Sequence, residues 1–260
     1  MPPTAGSFDL AGRLAGKIAM VVGAEHPAGA AIARAYAEAG ADVALCSLTA
    51  DEAVMRTRSV RRAIEGMGRR AAEYVMDVTL GRNVQVTTRQ VAKEMGGLDI
   101  VASAPDLFLA KSIAQTTDME LARVMQVNFA AQFFIVRTAA EEFRRDHRAG
   151  RITLVTGAPP PDTSSERATL DAAASGGAAY ASAHGAVHHL VRAAARELAA
   201  EGIAVNAIAL DDADGASGAG EGIEQPGRAA GIGQTAVWLA GASGSRLVTG
   251  QVIFIAMGSS

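Results

Sequence analysis

The chain has 260 residues, 49% of them hydrophobic and 20% charged, a balance that excludes a disordered or collagen-like polymer. A single cysteine excludes an internal disulfide framework, and a formal net charge of −3 gives no support for nucleic-acid binding. No run of about 18 apolar residues occurs, so no membrane span is expected, and the N-terminal stretch lacks the basic and then apolar regions of a secretory leader. These features together point to a cytoplasmic protein with room for one large domain.

Short apolar runs alternate with helical stretches along the chain. Lys17–Val22 reads as a buried strand. Ala28–Ala39 is Ala-rich and helical, stopped by Gly40. Asp42–Ser47 is a second strand. Asp51–Gly66 is a helix with Val60 and Ile64 on one face, continued by Met67. Ala72–Met76 is a third strand and Val84–Met95 a third helix. Leu98–Ser103 is the fourth strand, and Thr117–Arg145 reads as one long helix. Arg151–Thr156 is the fifth strand, and Ala178–Ala200 another long helix. Ile203–Ala209 and Gln251–Ile255 complete the strands, with a helix at Gln234–Ala240 between them. Strands apolar on both faces, alternating with helices, predict an α/β fold: a doubly wound parallel sheet of about seven strands with helices on both sides. No internal repeat or linker divides the chain. A tail over residues 1–13 and one Rossmann-like domain over 14–260 are expected, with residues 157–177 and 211–228 as loops over the cleft. Both loops follow strands, where open α/β sheets place their ligand crevice.

An ordered set of segments from Leu14 to Gly258 resembles the short-chain dehydrogenase/reductase family. It comprises LAGKIAMVVGA, AIARAYAEAGADVAL, Asp77-Val78, LDIV at Leu98–Val101, and MQVN ending at Asn128. GRITLVT at Gly150–Thr156, AAYASA with Tyr180, VNAIA at Val205–Ala209, and LVTGQVIFI complete it. The resemblance implies alcohol oxidation or carbonyl reduction with NAD or NADP, and assembly as dimers or tetramers. It assigns Gly23, Gly29, Asp77 and Ala104 to the cofactor cleft. It assigns Tyr180 and Asn128, with His184 in the lysine position, to the catalytic group. Thr156 stands next to the serine position, which is Gly157. Ser164, Ser165 and Ser175 are further candidates for that serine.

The departures from the family pattern are as informative as the matches. The T-G-x-x-x-G-x-G turn reads Val22 to Gly29 here, with Pro27 as the middle glycine. Proline removes a backbone donor where a pyrophosphate would approach, and Glu25 would repel phosphate if it pointed inward. Cys46-Ser47-Leu48-Thr49 offers neither the acid that bonds the ribose of NAD nor the arginine that accommodates NADP. Arg56, Arg58, Arg61, Arg62, Arg69 and Arg70 form a basic cluster near the adenosine end. The N-N-A-G strand end is Ala102-Ser103-Ala104-Pro105. Asp211, Asp212 and Asp214 bring negative charge where the family has P-G. The cofactor is therefore left open between NAD and NADP, with weak or absent binding expected.

His184 in place of lysine bears on the chemistry directly. A free tyrosine has a pKa of about 10 and needs a fixed positive charge beside it to work near neutrality, whereas histidine, at about 6.5, is mostly neutral there. Tyr180 and His184 share a helix face, one turn apart, so an acid/base pair is open to them. His184 and His188 have a metal-ligand spacing but no third ligand, and no metal is expected. Three functions are carried forward. The first is a non-catalytic or weakly active subunit of an oxidoreductase assembly, with itself or with an intact family member as partner. The second is a divergent NAD(P)-dependent oxidoreductase acting on a small alcohol or ketone through Tyr180 and His184. The third is a cofactor-independent enzyme of halohydrin-dehalogenase type.

Overall fold

The computed structural model describes residues 11–157, 177–210, 226–241 and 248–255. A seven-stranded parallel sheet runs in the order β3-β2-β1-β4-β5-β6-β7. Its strands are β1 (Ile18–Val22), β2 (Asp42–Ser47), β3 (Ala71–Val75), β4 (Ile100–Ser103), β5 (Arg151–Gly157), β6 (Ala204–Leu210) and β7 (Val252–Ile255). The order reverses direction between β1 and β4, which opens a crevice at their carboxyl ends. The expected Rossmann-like doubly wound sheet is the one observed.

The alternating sides of each strand explain the two layers. Val21, Leu45, Ile100, Val155 and Ile208 pack against α1 (Pro27–Glu38), α2 (Glu52–Gly66) and the C-terminal helix Pro226–Ala240. Met20, Val22, Val101, Leu154 and Val205 face the opposite way. They pack against α3 (Gly81–Met95), α5 (Ala131–Arg145) and α6 (Ala178–Leu198). The C-terminal helix is α7. Local chemistry sets several ends: the Asp51 side chain accepts from Ala53 N–H at the start of α2, and Gly96 closes α3 with φ 92°.

Two elements differ from the sequence expectation. The stretch read as one helix over Thr117–Arg145 is α4 (Asp118–Met125), capped by a reciprocal Thr117–Glu120 box, then a π turn over Gln126–Ala130, then α5. The helices on either side of the π turn each keep a helical pattern and no proline or glycine marks the junction, so the sequence reads as one helix. Helix α7 begins at Pro226 rather than Gln234, because its first half is rich in glycine and alanine and carries little apolar pattern. Ser164, Ser165, Ser175, Asp211, Asp212 and Asp214 lie outside the described residues, as do residues 1–10 of the expected tail over 1–13 and most of both expected loops.

The β1–α1 turn depends on two glycines. Gly23 has φ 77°, and a Cβ there would sit 2.7 Å from the Ala104 carbonyl oxygen. A Cβ on Gly29 would fall 2.1 Å from the Gly23 carbonyl oxygen, so α1 seats on the turn only with glycine there. Gly29→Ala is therefore expected to cost about 1–3 kcal/mol through forced backbone displacement. Urea denaturation would register this as a lower midpoint at unchanged slope; an unchanged midpoint would contradict the close approach.

Candidate functional site

The site forms where the end of β5 meets the first turns of α6. His184, on α6, turns its Nδ1 towards β5 and receives the Gly157 backbone N–H at 2.9 Å. A nitrogen that accepts an N–H is unprotonated, so the proton of this imidazole resides on Nε2. Thr156 Oγ1 stands 2.9 Å from the same Nδ1 and shares the role of donor. One turn along α6, His188 Nε2 lies 3.2 Å from the Gly157 carbonyl oxygen and must donate to it. The two histidines thus hold both sides of the Gly157 residue. Burial pushes the His188 imidazole below the usual histidine range, despite its bond to Gly157. The i, i+4 spacing that resembled a metal pair is used for this clamp, and no cluster of three metal-ligating side chains occurs among the described residues.

Tyr180 completes the group from the turn before. Its ring packs edge-on against His184 with centroids 4.3 Å apart, and against Phe108 at 5.2 Å. The Tyr180 hydroxyl donates to Asp106 Oδ1 at 3.0 Å. His184 Nε2 lies 3.5 Å from the same oxygen and is buried without a hydrogen-bond partner among the described residues. Asp106 was not among the residues singled out in the sequence. The strand-end segment Ala102–Pro105 stops one residue short of it. An acid three residues past the end of a central strand of an open sheet is the signal that could have found it.

Asn128 lies in the π turn, buried, with its Oδ1 accepting the Leu107 N–H at 2.8 Å and its Nδ2 donating to the Leu107 carbonyl at 3.1 Å. Both polar ends of its side chain are used to pin the residue after Asp106. Asn128 therefore positions the Asp106 carboxylate from behind. The structure brings together Tyr180, His184, Thr156 and, through Leu107, Asn128.

Burial works to raise the Asp106 carboxyl. The adjacent His184, the charge of His26 and the Tyr180 hydroxyl outweigh it and hold the group below the ordinary carboxylate range. His26, read from the sequence as isolated, stands at the N-cap position of α1 without a side-chain cap bond, and its charge is one of the causes that lower the Asp106 carboxyl.

On the cofactor side, Gly23 and Ala104 face each other across the mouth of the sheet, and the Ala104 N–H bonds the Val22 carbonyl at 2.9 Å. Asp77 Oδ1 receives both the N–H (2.9 Å) and the hydroxyl (2.6 Å) of Thr79, a local turn that occupies that oxygen. Glu25 does not aim at the α1 N-terminus. Its Oε1 accepts the Leu48 N–H at 2.8 Å, which carries the carboxylate to the end of β2. Arg58, Arg61 and Arg69 are paired with Glu73, Glu65 and Asp42, and Arg70 donates to the Glu94 and Met95 carbonyls. The basic cluster is thus largely spent on its own surroundings.

The sequence pattern of the short chain dehydrogenase family matches residues 17–216. The chain belongs to that family. The family member shares 32% identity over 194 residues with a short-chain dehydrogenase/reductase of Armillaria gallica, covering 75% of this chain and 70% of the relative. It shares 33% identity over 197 residues with a versicolorin reductase of Emericella nidulans, covering 76% and 69%. Among solved structures it resembles a short chain dehydrogenase of Burkholderia cenocepacia in complex with NADP, with TM-score 0.78, 28% identity and coverage of 94% and 98%. A dehydrogenase/reductase of Sinorhizobium meliloti matches with TM-score 0.78, 28% identity and coverage of 95% and 96%.

The family implies a dinucleotide, and the residues fit its two ends unequally. At the adenosine end, Gly23 and Gly29 keep the close approach of the turn, Pro27 takes the place of its middle glycine as the first residue of α1, and a carboxylate stands at the end of β2. At the nicotinamide-ribose end, the residue in the lysine position is His184, buried and turned towards Gly157, so that end is not matched.

The lowered Asp106 carboxyl makes stability depend on pH with a definite sign. A carboxyl depressed in the folded state adds stability that is complete above its unfolded value, about 3.9, and is lost as pH falls through the folded value. The stability difference between wild type and Asp106→Asn should therefore shrink as pH falls from 5 towards about 2. Urea denaturation at several pH values measures it; a difference that grows with acid would contradict the charged assignment.

Proposed function

We propose that this chain is a short chain dehydrogenase subunit in which hydride-transfer chemistry is absent or weak, kept for assembly with itself or with an intact family member. The observation that carries the reading is the hydrogen bond from the Tyr180 hydroxyl to the Asp106 carboxylate at 3.0 Å. A carboxylate accepting from a phenol favours the neutral phenol and opposes the phenolate. That is the reverse of what a lysine does beside the tyrosine in the family pattern. His184 does not replace the lysine charge, because its Nδ1 is engaged as an acceptor by Gly157. The relatives named as reductases, and the solved relative that holds NADP, support membership of the oxidoreductase family for the scaffold.

A second reading has its own observation. Thr156, His184, Asp106 and Tyr180 cluster at the expected position, with His184 Nε2 3.5 Å from the Asp106 carboxylate that Tyr180 bonds, which favours a divergent oxidoreductase working through Tyr180 and His184. The dehalogenase-like reading has less support, since Gly157 and His184 occupy the serine and arginine positions of that pattern.

Turnover decides between the first two readings. The purified protein is assayed with NADH or NADPH against a panel of small ketones and aldehydes, as wild type and as Tyr180→Phe, alone and with any co-purifying family member. The expected result is no turnover by the wild type alone, with Tyr180→Phe changing neither association nor the partner's activity. Wild-type turnover that disappears in Tyr180→Phe would overturn the subunit reading.

Assembly is supported by apolar side chains left exposed on α4 and α5, where Met119 is 80%, Leu121 43% and Phe133 44% exposed. Light scattering at micromolar concentration is expected to give a dimer or larger species; a monodisperse monomer would contradict it.

A further inference from the structure

Asp106 brings a charge to the crevice that no lysine or arginine among the described residues neutralises. The Tyr180 hydroxyl bonds its Oδ1 at 3.0 Å, and His184 Nε2 lies 3.5 Å from that same oxygen. No donor bonds Oδ2 among the described residues, and the lysine nearest in sequence, Lys111, is spent on Glu120. Tyr180 and His184 are buried, whereas the Asp106 side chain keeps 27% of its surface open. A carboxylate drawn partly out of water without a counter-ion costs free energy, and a cation that reaches it from the crevice offsets that cost. The surroundings narrow the choice of cation. A hard metal ion takes six or more oxygen ligands, and no cluster of three metal-ligating side chains occurs among the described residues. An ammonium needs only one or two acceptors for its N–H groups. The neighbours beside the carboxylate are aromatic: the Tyr180 ring, and the half-buried Phe108 ring edge-on to it at 5.2 Å.

We propose that the crevice binds a small organic ammonium ion, its N–H groups on the Asp106 carboxylate and its carbon body against Phe108. Tyr180 already donates to Oδ1, so Oδ2 receives the ammonium. The bond is charge-assisted on both sides, which makes it stronger than the same contact to a neutral hydroxyl. The Phe108 ring adds apolar contact and the attraction of an aromatic face for a cation. A neutral analogue keeps only the apolar part, and an anion meets the carboxylate head-on. The groups that face Asp106 agree with this choice. The Tyr180 phenol is held neutral by its bond to the carboxylate, and His26 and His184 are the only basic groups that act on it. The inference concerns binding alone. It stands whether or not Tyr180 transfers a proton, so its failure and the failure of the subunit reading are separate results.

Calorimetric titration of the full chain tests it with benzylammonium, benzyl alcohol and benzoate, which share a phenyl ring and differ in the head group. A pH of 8 lies above the ordinary histidine value of about 6.5, which limits competition from an imidazolium. Benzylammonium is expected to bind at least about tenfold more tightly than benzyl alcohol, and benzoate more weakly than either. Asp106→Asn keeps the size of the side chain and an acceptor for Tyr180 but removes the charge. In that variant, checked for fold by circular dichroism, the preference for the ammonium is expected to fall at least about tenfold. If the variant does not fold, nitrogen-15 spectra of the wild type decide: the His184 ring signals are expected to move as benzylammonium is added. No binding of benzylammonium at millimolar concentration, equal or tighter binding of the alcohol or benzoate, an unchanged preference in folded Asp106→Asn, or unmoved His184 signals would each overturn the proposal.

Discussion

The Gly157 peptide groups hold the site together. Its N–H and carbonyl oxygen end β5 at the mouth of the crevice, and His184 and His188 take one each from the same face of α6. Buried backbone groups need partners, and a strand end beside a helix has few to offer. Two histidines one helical turn apart meet that need. In doing so they fix the His184 ring, direct its Nε2 to Asp106, and leave the Tyr180 hydroxyl with the same carboxylate to bond. A lysine in place of His184 could not accept the Gly157 N–H at all. The substitution in the lysine position is thus tied to the backbone it supports.

A second constraint acts from the opposite side of the cleft. Asn128 sits within the π turn and grips Leu107 through both ends of its amide. That grip sets the path of the chain leaving β4 and so the position of Asp106. The polar group at the crevice therefore has supports on three elements: β5, α6 and the α4–α5 junction. Such over-determination keeps a carboxylate close to a phenol and an imidazole with little freedom to rearrange.

Much of the fold was legible because a parallel sheet buried on both faces writes itself as short apolar runs. The strands from Ile18–Val22 to Val252–Ile255 fall within a residue or two of the runs that announce them. The π turn at Gln126–Ala130 was not legible, since it leaves the apolar spacing on either side intact. Tyr180, His184, Thr156 and Asn128 were marked by resemblance, but their partners were not. Asp106 and Glu25 act through long-range contacts, 74 and 23 residues away in sequence from Tyr180 and Leu48, that no local pattern encodes. His188 was read as a metal-spaced neighbour, because spacing reports a shared helix face and says nothing of what lies opposite that face.

The central claim is that His184 serves as an acceptor for the backbone and not as a lysine-like cation. Long-range proton–nitrogen correlation spectra of nitrogen-15 labelled protein near pH 7, with His184→Gln used for assignment, report the protonation of each ring nitrogen directly. The account predicts an unprotonated Nδ1 and a protonated Nε2 for His184. A spectrum with a proton on Nδ1 would contradict it and return the Tyr180–His184 pair to the role of an active acid and base.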